Sequence, residues 1–101
     1  MDAIAREFSE LIKTSLKSRI KKIILYGSRA RGDFSKCSDY DFLIVVDKRD
    51  EKVREQILHI EVEMLDKYNT LFASIVCDEK EWEKESRFPL GINIAKEGIA
   101  L

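Results

Sequence analysis

The chain has 101 residues, the length of one typical domain, and we expect a single domain over residues 1–101. It is 45% apolar and 37% charged, with four glycines and one proline, which excludes a disordered tail, a collagen-like repeat and a disulfide scaffold. The formal charge of −1 provides no general attraction to a polyanion, so direct binding to nucleic acid is not expected.

The longest unbroken apolar run, residues 42–46, is far shorter than the roughly 20 residues that cross a bilayer. Charged residues interrupt the start of the chain, so it lacks a signal-peptide layout, and we expect a cytoplasmic protein without a membrane partner. Cys37 and Cys77 show no metal-ligand spacing and are expected to be free thiols. His59 is the single histidine, and it is expected to be an exposed or half-packed surface residue.

The first half of the chain predicts a helix followed by two strands. Apolar residues with steps of 4, 3, 1 and 4 indicate one face of a helix that begins near Asp2; they are Ile4, Phe8, Leu11, Ile12 and Leu16. Short β-branched and aromatic runs at 23–26 and 42–46 predict two buried strands. The loop between them is too short for a crossover helix, so the pair is expected to be antiparallel.

The second half predicts a long helix, a third strand and two shorter helices. The long helix carries an apolar stripe at Val53, Ile57, Ile60, Met64 and Tyr68. Residues 71–77 form the third strand, and Asp78 can cap a short helix that Trp82 docks on the core. Pro89 opens the last helix, which ends near Gly98. This order predicts an α/β (α+β) fold, with a small mixed three-stranded sheet covered by helices.

A glycine and a serine follow the first strand directly. Gly27 allows a ligand to approach the backbone closely, and Ser28 lies where free amides of a helical turn can bind phosphate oxygens. Arg29 and Arg31 could neutralise further oxygens. The segment is not a P-loop, because Asp33 stands where the Walker lysine would follow Gly32. Taken alone, the glycine–serine pair is more often an ordinary turn.

Two aspartates precede the second strand. Period-two geometry places Asp39 and Asp41 on one face of the sheet, roughly 6–7 Å apart along the strand, while Tyr40 points into the core. Two carboxylates this close repel each other unless a cation lies between them, and their hard oxygen ligands suit Mg²⁺. An isolated pair of this kind is more often a solvated strand start. Together with Gly27 and Ser28, however, it combines a phosphate cradle with a metal site.

The segment 27–46 resembles the nucleotidyltransferase superfamily of the DNA polymerase β type, and specifically its minimal members, the MNT proteins. The resemblance covers essentially the whole chain. It rests on two motifs: glycine–serine–x–alanine–arginine–glycine and, after the ten-residue spacer, serine–aspartate–x–aspartate. The matching positions are Gly27, Ser28, Ala30, Arg31, Gly32, Ser38, Asp39 and Asp41.

The resemblance implies transfer of a nucleoside monophosphate, usually AMP from ATP, to an acceptor hydroxyl. Asp39 and Asp41 would be the catalytic residues and would hold two Mg²⁺ ions, while Gly27 and Ser28 would bind the phosphates of ATP or another nucleoside triphosphate. It also implies a HEPN-domain partner, a toxin to which such proteins serve as the antitoxin. The small size of the chain fits a need for a partner, which could include further copies of itself in a homo-oligomer.

The chain departs from the family pattern at one place. Active members carry a third carboxylate on the third strand, whereas residues 71–77 here contain no acid, and the matching position falls at Ala73 or Ser74. Asp78 lies roughly 10 Å or more from the place required.

Because the third carboxylate is absent, functions other than an active enzyme are also open. The chain could be a catalytically impaired nucleotide-binding module that neutralises or scaffolds a HEPN partner by binding alone. A third reading is a nucleotide-sensing regulator unrelated to toxins.

Overall fold

The computed structural model describes residues 2–101, in which helices and strands alternate along most of the chain. The elements are α1 (Ala3–Leu16), β1 (Ile20–Tyr26), α2 (Ser28–Arg31), β2 (Tyr40–Val46), α3 (Glu51–Tyr68), β3 (Phe72–Asp78), α4 (Glu79–Glu85), α5 (Pro89–Glu97) and β4 (Ile99–Ala100). A 3-10 turn (Lys17–Arg19) joins α1 to β1. The predicted helices and the three predicted strands are all present, with ends that differ by a few residues.

The strands form one mixed sheet in the order β3-β2-β1-β4. β1 is antiparallel to β2, as expected, and β2 is parallel to β3 across the α3 crossover. The predicted count of three strands was wrong, because β4 adds a fourth beside β1 through the pairs Ile24–Ala100 and Leu25–Ile99. A two-residue strand is too short to produce an alternating pattern, so the sequence carried no signal for it.

One face of the sheet is covered by α1 and α3. Asp2 caps α1 by accepting hydrogen bonds from the backbone N–H groups of Ile4 and Ala5, as the sequence predicted. The buried residues under the two helices form the larger core cluster, which includes Phe8, Ile12, Leu25, Tyr40, Phe42, Ile44, Val53, Ile57, Met64 and Phe72. Tyr40 is 2% exposed and lies in this core, which confirms its predicted orientation.

The opposite face of the sheet is covered by α4 and α5 over only part of its length. The smaller cluster there contains Ile24, Leu43, Val45, Cys77 and Ile94, with Tyr26 and Trp82 packed against it. Trp82 docks α4 on the sheet, as expected. Because successive side chains of a strand alternate between faces, Asp41 shares this face with Leu43 and Val45, beyond the apolar cluster.

The two cysteines and the single histidine agree with the remaining expectations. Cys37 is exposed, Cys77 is buried, and both are free thiols. His59 lies on the surface of α3, with Nε2 2.8 Å from a carboxylate oxygen of Glu63. None of the helices within residues 2–101 is long and apolar enough to cross a membrane.

Candidate active site

The end of β1 turns sharply into the single-turn helix α2. Gly27 has φ = 75° and ψ = −159°, a conformation that side chains disfavour, and it is the N-cap of α2. The first backbone N–H group of α2 that donates a hydrogen bond within the turn is that of Ala30, whose nitrogen lies 3.1 Å from the Gly27 carbonyl oxygen. The N–H groups of Ser28 and Arg29 therefore precede the hydrogen bonds of the turn, at the position that suits an anion.

The Asp41 carboxylate lies directly against this turn. A Cβ added at Gly27 would lie 2.8 Å from Oδ2 of Asp41, so only glycine leaves room for the carboxylate where it is. Asp41 is the second residue of β2, and it pairs with Tyr26 at the end of β1. The antiparallel β1–β2 pair thus brings together the glycine–serine and aspartate motifs, which the sequence separates by ten residues.

Asp39 lies in the loop immediately before β2 and is exposed. Burial raises the pKa of Asp41 above its ordinary value, and the negative charge of Asp39 adds a smaller rise. The two carboxylates are therefore close enough to repel each other. In the part of the chain that the structure describes, neither of them takes part in an ion pair.

This pair of carboxylates fits a hard divalent cation such as Mg²⁺, which prefers oxygen ligands and completes its shell with water and phosphate oxygens. Residues 2–101 contain no cluster of three or more His, Cys, Asp or Glu side chains that could hold a metal. Any ion at this site therefore takes only two carboxylate side chains from the described chain.

The third-strand position beside Asp41 is occupied by Ala73. The parallel register pairs Asp41 with Ala73 and Phe42 with Ser74, so Ala73 lies on the face of the aspartate and Ser74 on the opposite face. Ala73 is exposed. The sequence left the choice between the two residues open, and the register decides it.

Asp78 is too far along β3 to replace the missing carboxylate. It pairs with Val46, five register positions beyond Ala73, which is about 16 Å along the strand. Its side chain accepts a hydrogen bond of 2.8 Å from the Glu81 N–H, and the Glu81 carboxylate accepts one from the Asp78 N–H. Asp78 is the N-cap of α4, as the sequence predicted.

Arg29 holds the loop that connects α2 to β2. Its guanidinium donates to the Ser38 carbonyl at 3.0 and 3.3 Å. The guanidinium carbon lies 4.5 Å from the ring centre of Phe34 and 4.4 Å from that of Tyr40, so the cation is stacked between two aromatic rings. In this structure Arg29 orders the segment that carries Asp39.

Arg31 contacts two acids: Asp33 at 3.1 Å and Glu97 of α5 at 3.2 Å. Tyr26 is a site neighbour that sequence reasoning missed: its pKa is raised, first by burial and then by the charge of Asp41. Only the β1–β2 register places Tyr26 beside Asp41, although its position at the end of a strand before Gly27 could have indicated it.

The fold and this motif pair define a nucleotidyltransferase. The model of the nucleotidyltransferase domain family matches residues 3–100, and the chain belongs to that family. The family transfers nucleotides from nucleoside triphosphates and generally uses a divalent metal.

Two curated relatives come from Methanocaldococcus jannaschii. The chain is 36% identical over 96 residues to "Putative protein adenylyltransferase MJ0604", a match that covers 95% of this chain and 92% of the relative. It is 38% identical over 74 residues to "Putative protein adenylyltransferase MJ0141", covering 72% of this chain and 75% of the relative.

Two solved structures share the fold. A crystal structure titled as a putative nucleotidyltransferase from Sulfolobus solfataricus matches with a TM-score of 0.55 at 24% identity, covering 96% of this chain and 75% of the other. A second crystal structure, of another putative nucleotidyltransferase, matches with a TM-score of 0.54 at 29% identity, covering 86% of this chain and 91% of the other. These likenesses agree with the mixed α+β architecture described above.

Proposed function

We propose that the chain binds ATP and Mg²⁺ at the Gly27–Asp41 junction and transfers AMP to a hydroxyl group of a partner protein, breaking the bond between the α- and β-phosphates and releasing pyrophosphate. The observation that carries this proposal is the Asp41 carboxylate packed against Gly27, because it joins a phosphate-binding turn to an acidic pair. The names of the two M. jannaschii relatives, both putative protein adenylyltransferases, support a protein as the acceptor.

The proposed roles follow from the position of each residue. The N–H groups of Ser28 and Arg29 and the Ser28 hydroxyl would bind the terminal phosphates. Arg31 would supply positive charge after leaving Asp33 or Glu97, and Arg29 would hold the loop and lie near the phosphates. Asp39 and Asp41 would hold Mg²⁺, which supplies Lewis-acid polarisation of the reacting phosphoryl group.

The partner that we propose is a HEPN-domain toxin, with this chain as its antitoxin in the cytoplasm. The support is the resemblance to minimal nucleotidyltransferases and the small size of the domain. The exposed apolar residues of α5 offer a surface for a partner on the face of the sheet that carries Asp41; they are Leu90 and Ile92, 53% and 49% exposed.

Ala73 favours a second candidate function, a nucleotide-binding module that acts on its partner without catalysis. With alanine in the third position, the chain offers fewer anionic ligands for a second Mg²⁺ ion. Nucleotide binding through Ser28, Asp39 and Asp41 needs no contribution from Ala73. The two candidates therefore share one nucleotide-binding site and differ in whether AMP is transferred from ATP to the partner.

One assay separates the candidates. Purified chain, Mg²⁺, the partner encoded beside it and ATP labelled on the α-phosphate are incubated, and transfer to the partner is measured with nucleotide binding. Transfer that is lost in Asp39→Ala and Asp41→Ala, and retained in Asp47→Ala at the other end of β2, supports the enzyme. Complex formation without transfer, unchanged by the first two variants, supports the module. Failure of the wild type to bind ATP contradicts both.

A further inference from the structure

The edge of the sheet formed by β3 is open. The Tyr40 N–H donates to the Leu71 carbonyl at 2.9 Å, so alternation along the strand directs the backbone groups of Ser74 and Val76 away from β2. Residues 72–77 include no charged residue and no proline, and their register with β2 is continuous. Charges, prolines and bulges are the usual devices that prevent edge pairing, and this edge has none of them.

One side of α3 adds an apolar surface next to this edge. Leu58 and Leu65 are 60% and 40% exposed, seven residues apart, and therefore on the same side of the helix. Arg54 and Glu61 lie on the same side, at steps of four and three from Leu58. A cleft of about 830 Å³ separates this side of α3 from β3, and its lining includes Arg54, Leu58, Glu61, Ser74 and Val76.

Two polar atoms in the cleft have no partner other than each other. Within residues 2–101, Oε2 of Glu61 and Oγ of Ser74 are buried, and the only polar group beside either atom is the other one. Burial raises the pKa of Glu61, and the neighbouring Ser74 hydroxyl opposes part of that rise. Arg54 is exposed and takes part in no ion pair among the described residues. The half-buried Glu61 carboxylate has no cation beside it among the described residues, and an opposite charge nearby stabilises an ionised carboxylate, so the cleft suits a cationic group.

We propose that a second copy of the chain covers this edge, with the two β3 strands paired antiparallel about a two-fold axis at Ile75. Ser74 of each copy then pairs with Val76 of the other through the outward backbone groups, and the two sheets join into one. Ile75, which is 38% exposed, faces its own copy across the axis.

The same axis also brings the two α3 helices side by side in opposite directions. The chain reverses between α3 and β3, so the helix and the strand run in opposite directions. Glu61 lies beside Ser74 in the cleft. Leu58 is one helical turn before Glu61 and therefore lies beside the next strand residue, Ile75. Leu58 of one copy therefore meets Leu58 of the other and fills the cleft. Arg54 and Glu61 lie on either side of Leu58, so Arg54 of each copy reaches Glu61 of the other.

This complementarity of charge is what favours a second copy over an unrelated partner. Within one chain, Arg54 and Glu61 are seven residues apart, about 10 Å along the helix, and they do not meet. Under the two-fold axis each Glu61 carboxylate obtains a guanidinium, and the free edge obtains a strand. The proposal does not rest on the catalytic activity, although Ala73 of the paired edge borders the candidate active site beside Asp41.

Sedimentation equilibrium of the full chain tests the proposal. The wild type is expected to be a dimer, and Leu58→Asp and Arg54→Glu are each expected to weaken association at least tenfold. The double variant Arg54→Glu/Glu61→Arg is expected to recover most of that loss, because the exchanged charges still meet between copies. Ile92→Asp, at an apolar position on α5 that is 49% exposed, is expected to leave the dimer intact, and circular dichroism checks that each variant folds.

Several results would overturn the proposal. A wild type that stays monomeric at millimolar concentration excludes the pairing. A dimer unaffected by both Leu58→Asp and Arg54→Glu places the contact elsewhere. If the double variant associates no more tightly than Arg54→Glu alone, the two charges do not meet between copies and the argument from charge complementarity fails. Capture of the edge by a HEPN-domain partner, with no self-association of the free chain, shows that a different protein occupies it.

Discussion

The two halves of the candidate site differ in how completely they are built. On the β1–β2 side, the Asp41 carboxylate rests on the Gly27 turn that would hold phosphate, and the exposed Asp39 lies in the loop just before it. On the β3 side, the equivalent place is taken by Ala73, a methyl group exposed to solvent. Under the proposed function, nucleotide binding depends on the β1–β2 side and catalysis also on the β3 side, so a chain can retain the first while the second weakens.

The largest expected effect comes from a Cβ at Gly27. In Gly27→Ala the new methyl group collides with Asp41, so affinity for ATP and Mg²⁺ is expected to fall about 10- to 100-fold, as when groups that position metal ligands are removed. Isothermal titration calorimetry with ATP and Mg²⁺ measures this affinity in the variant and the wild type.

Gly32→Ala is the matched control for that experiment. Gly32 also has positive φ, 88°, but a Cβ there meets nothing within 4 Å. Gly32→Ala is expected to lose about 1–2 kcal/mol of stability from its left-handed conformation. Gly27→Ala is expected to lose about 1–3 kcal/mol, because its conformation is almost exclusive to glycine, and only this variant is expected to lose binding. Equal loss of binding in both would show that strain, rather than contact with Asp41, is responsible.

An acid at position 73 should give the β3 side of the candidate site a metal ligand of its own, as the β1–β2 side already has. Ala73→Asp places a carboxylate beside Asp41 on the same face, and Mg²⁺-dependent nucleotide binding, with any transfer activity, is expected to rise about tenfold. Ala73→Asn, of the same shape but uncharged, is the control. A decrease in the aspartate variant would indicate that repulsion among three acids outweighs metal binding.

The two arginines should differ in their contribution to stability. Arg29→Met removes a guanidinium stacked between Phe34 and Tyr40, and a loss of about 1–2 kcal/mol is expected in urea unfolding. Arg31→Met breaks only exposed ion pairs, with an expected loss below about 1 kcal/mol. The opposite order would mean that Arg29 does not hold the loop.

The smallest effect concerns pH. Because the folded-state pKa of Asp41 is raised, ionised Asp41 disfavours folding above that pKa, and the penalty disappears as the pH falls through it. Asp41→Asn is therefore expected to raise the Tm at pH 7 by less than about 5 °C, with a difference that shrinks in acid. Thermal unfolding at several pH values measures it. A stabilising role for the ionised carboxylate would instead lower the Tm of the variant.

Much of this architecture could be predicted from local patterns. Each main helix and strand has its own periodicity, Asp2 and Asp78 cap helices as their positions indicate, and Tyr40 alternates with Asp41 as strand geometry requires. The glycine–serine and aspartate motifs lie within 15 residues of one another, so they indicated the nucleotidyltransferase family directly. The assignments of Gly27, Ser28, Arg29, Arg31, Asp39 and Asp41 to ligands remain predictions.

The sequence by itself determined the elements, the alternation of faces and the motif pair, because these depend on residues that are close along the chain. Only the tertiary structure decided that a fourth strand exists, that Ala73 rather than Ser74 lies beside Asp41, and that Glu61 faces Ser74 across an open edge. The reason is that strand register and edge exposure arise from contacts between distant segments, and a shift of one residue in β3 would exchange every side chain between the two faces of the sheet.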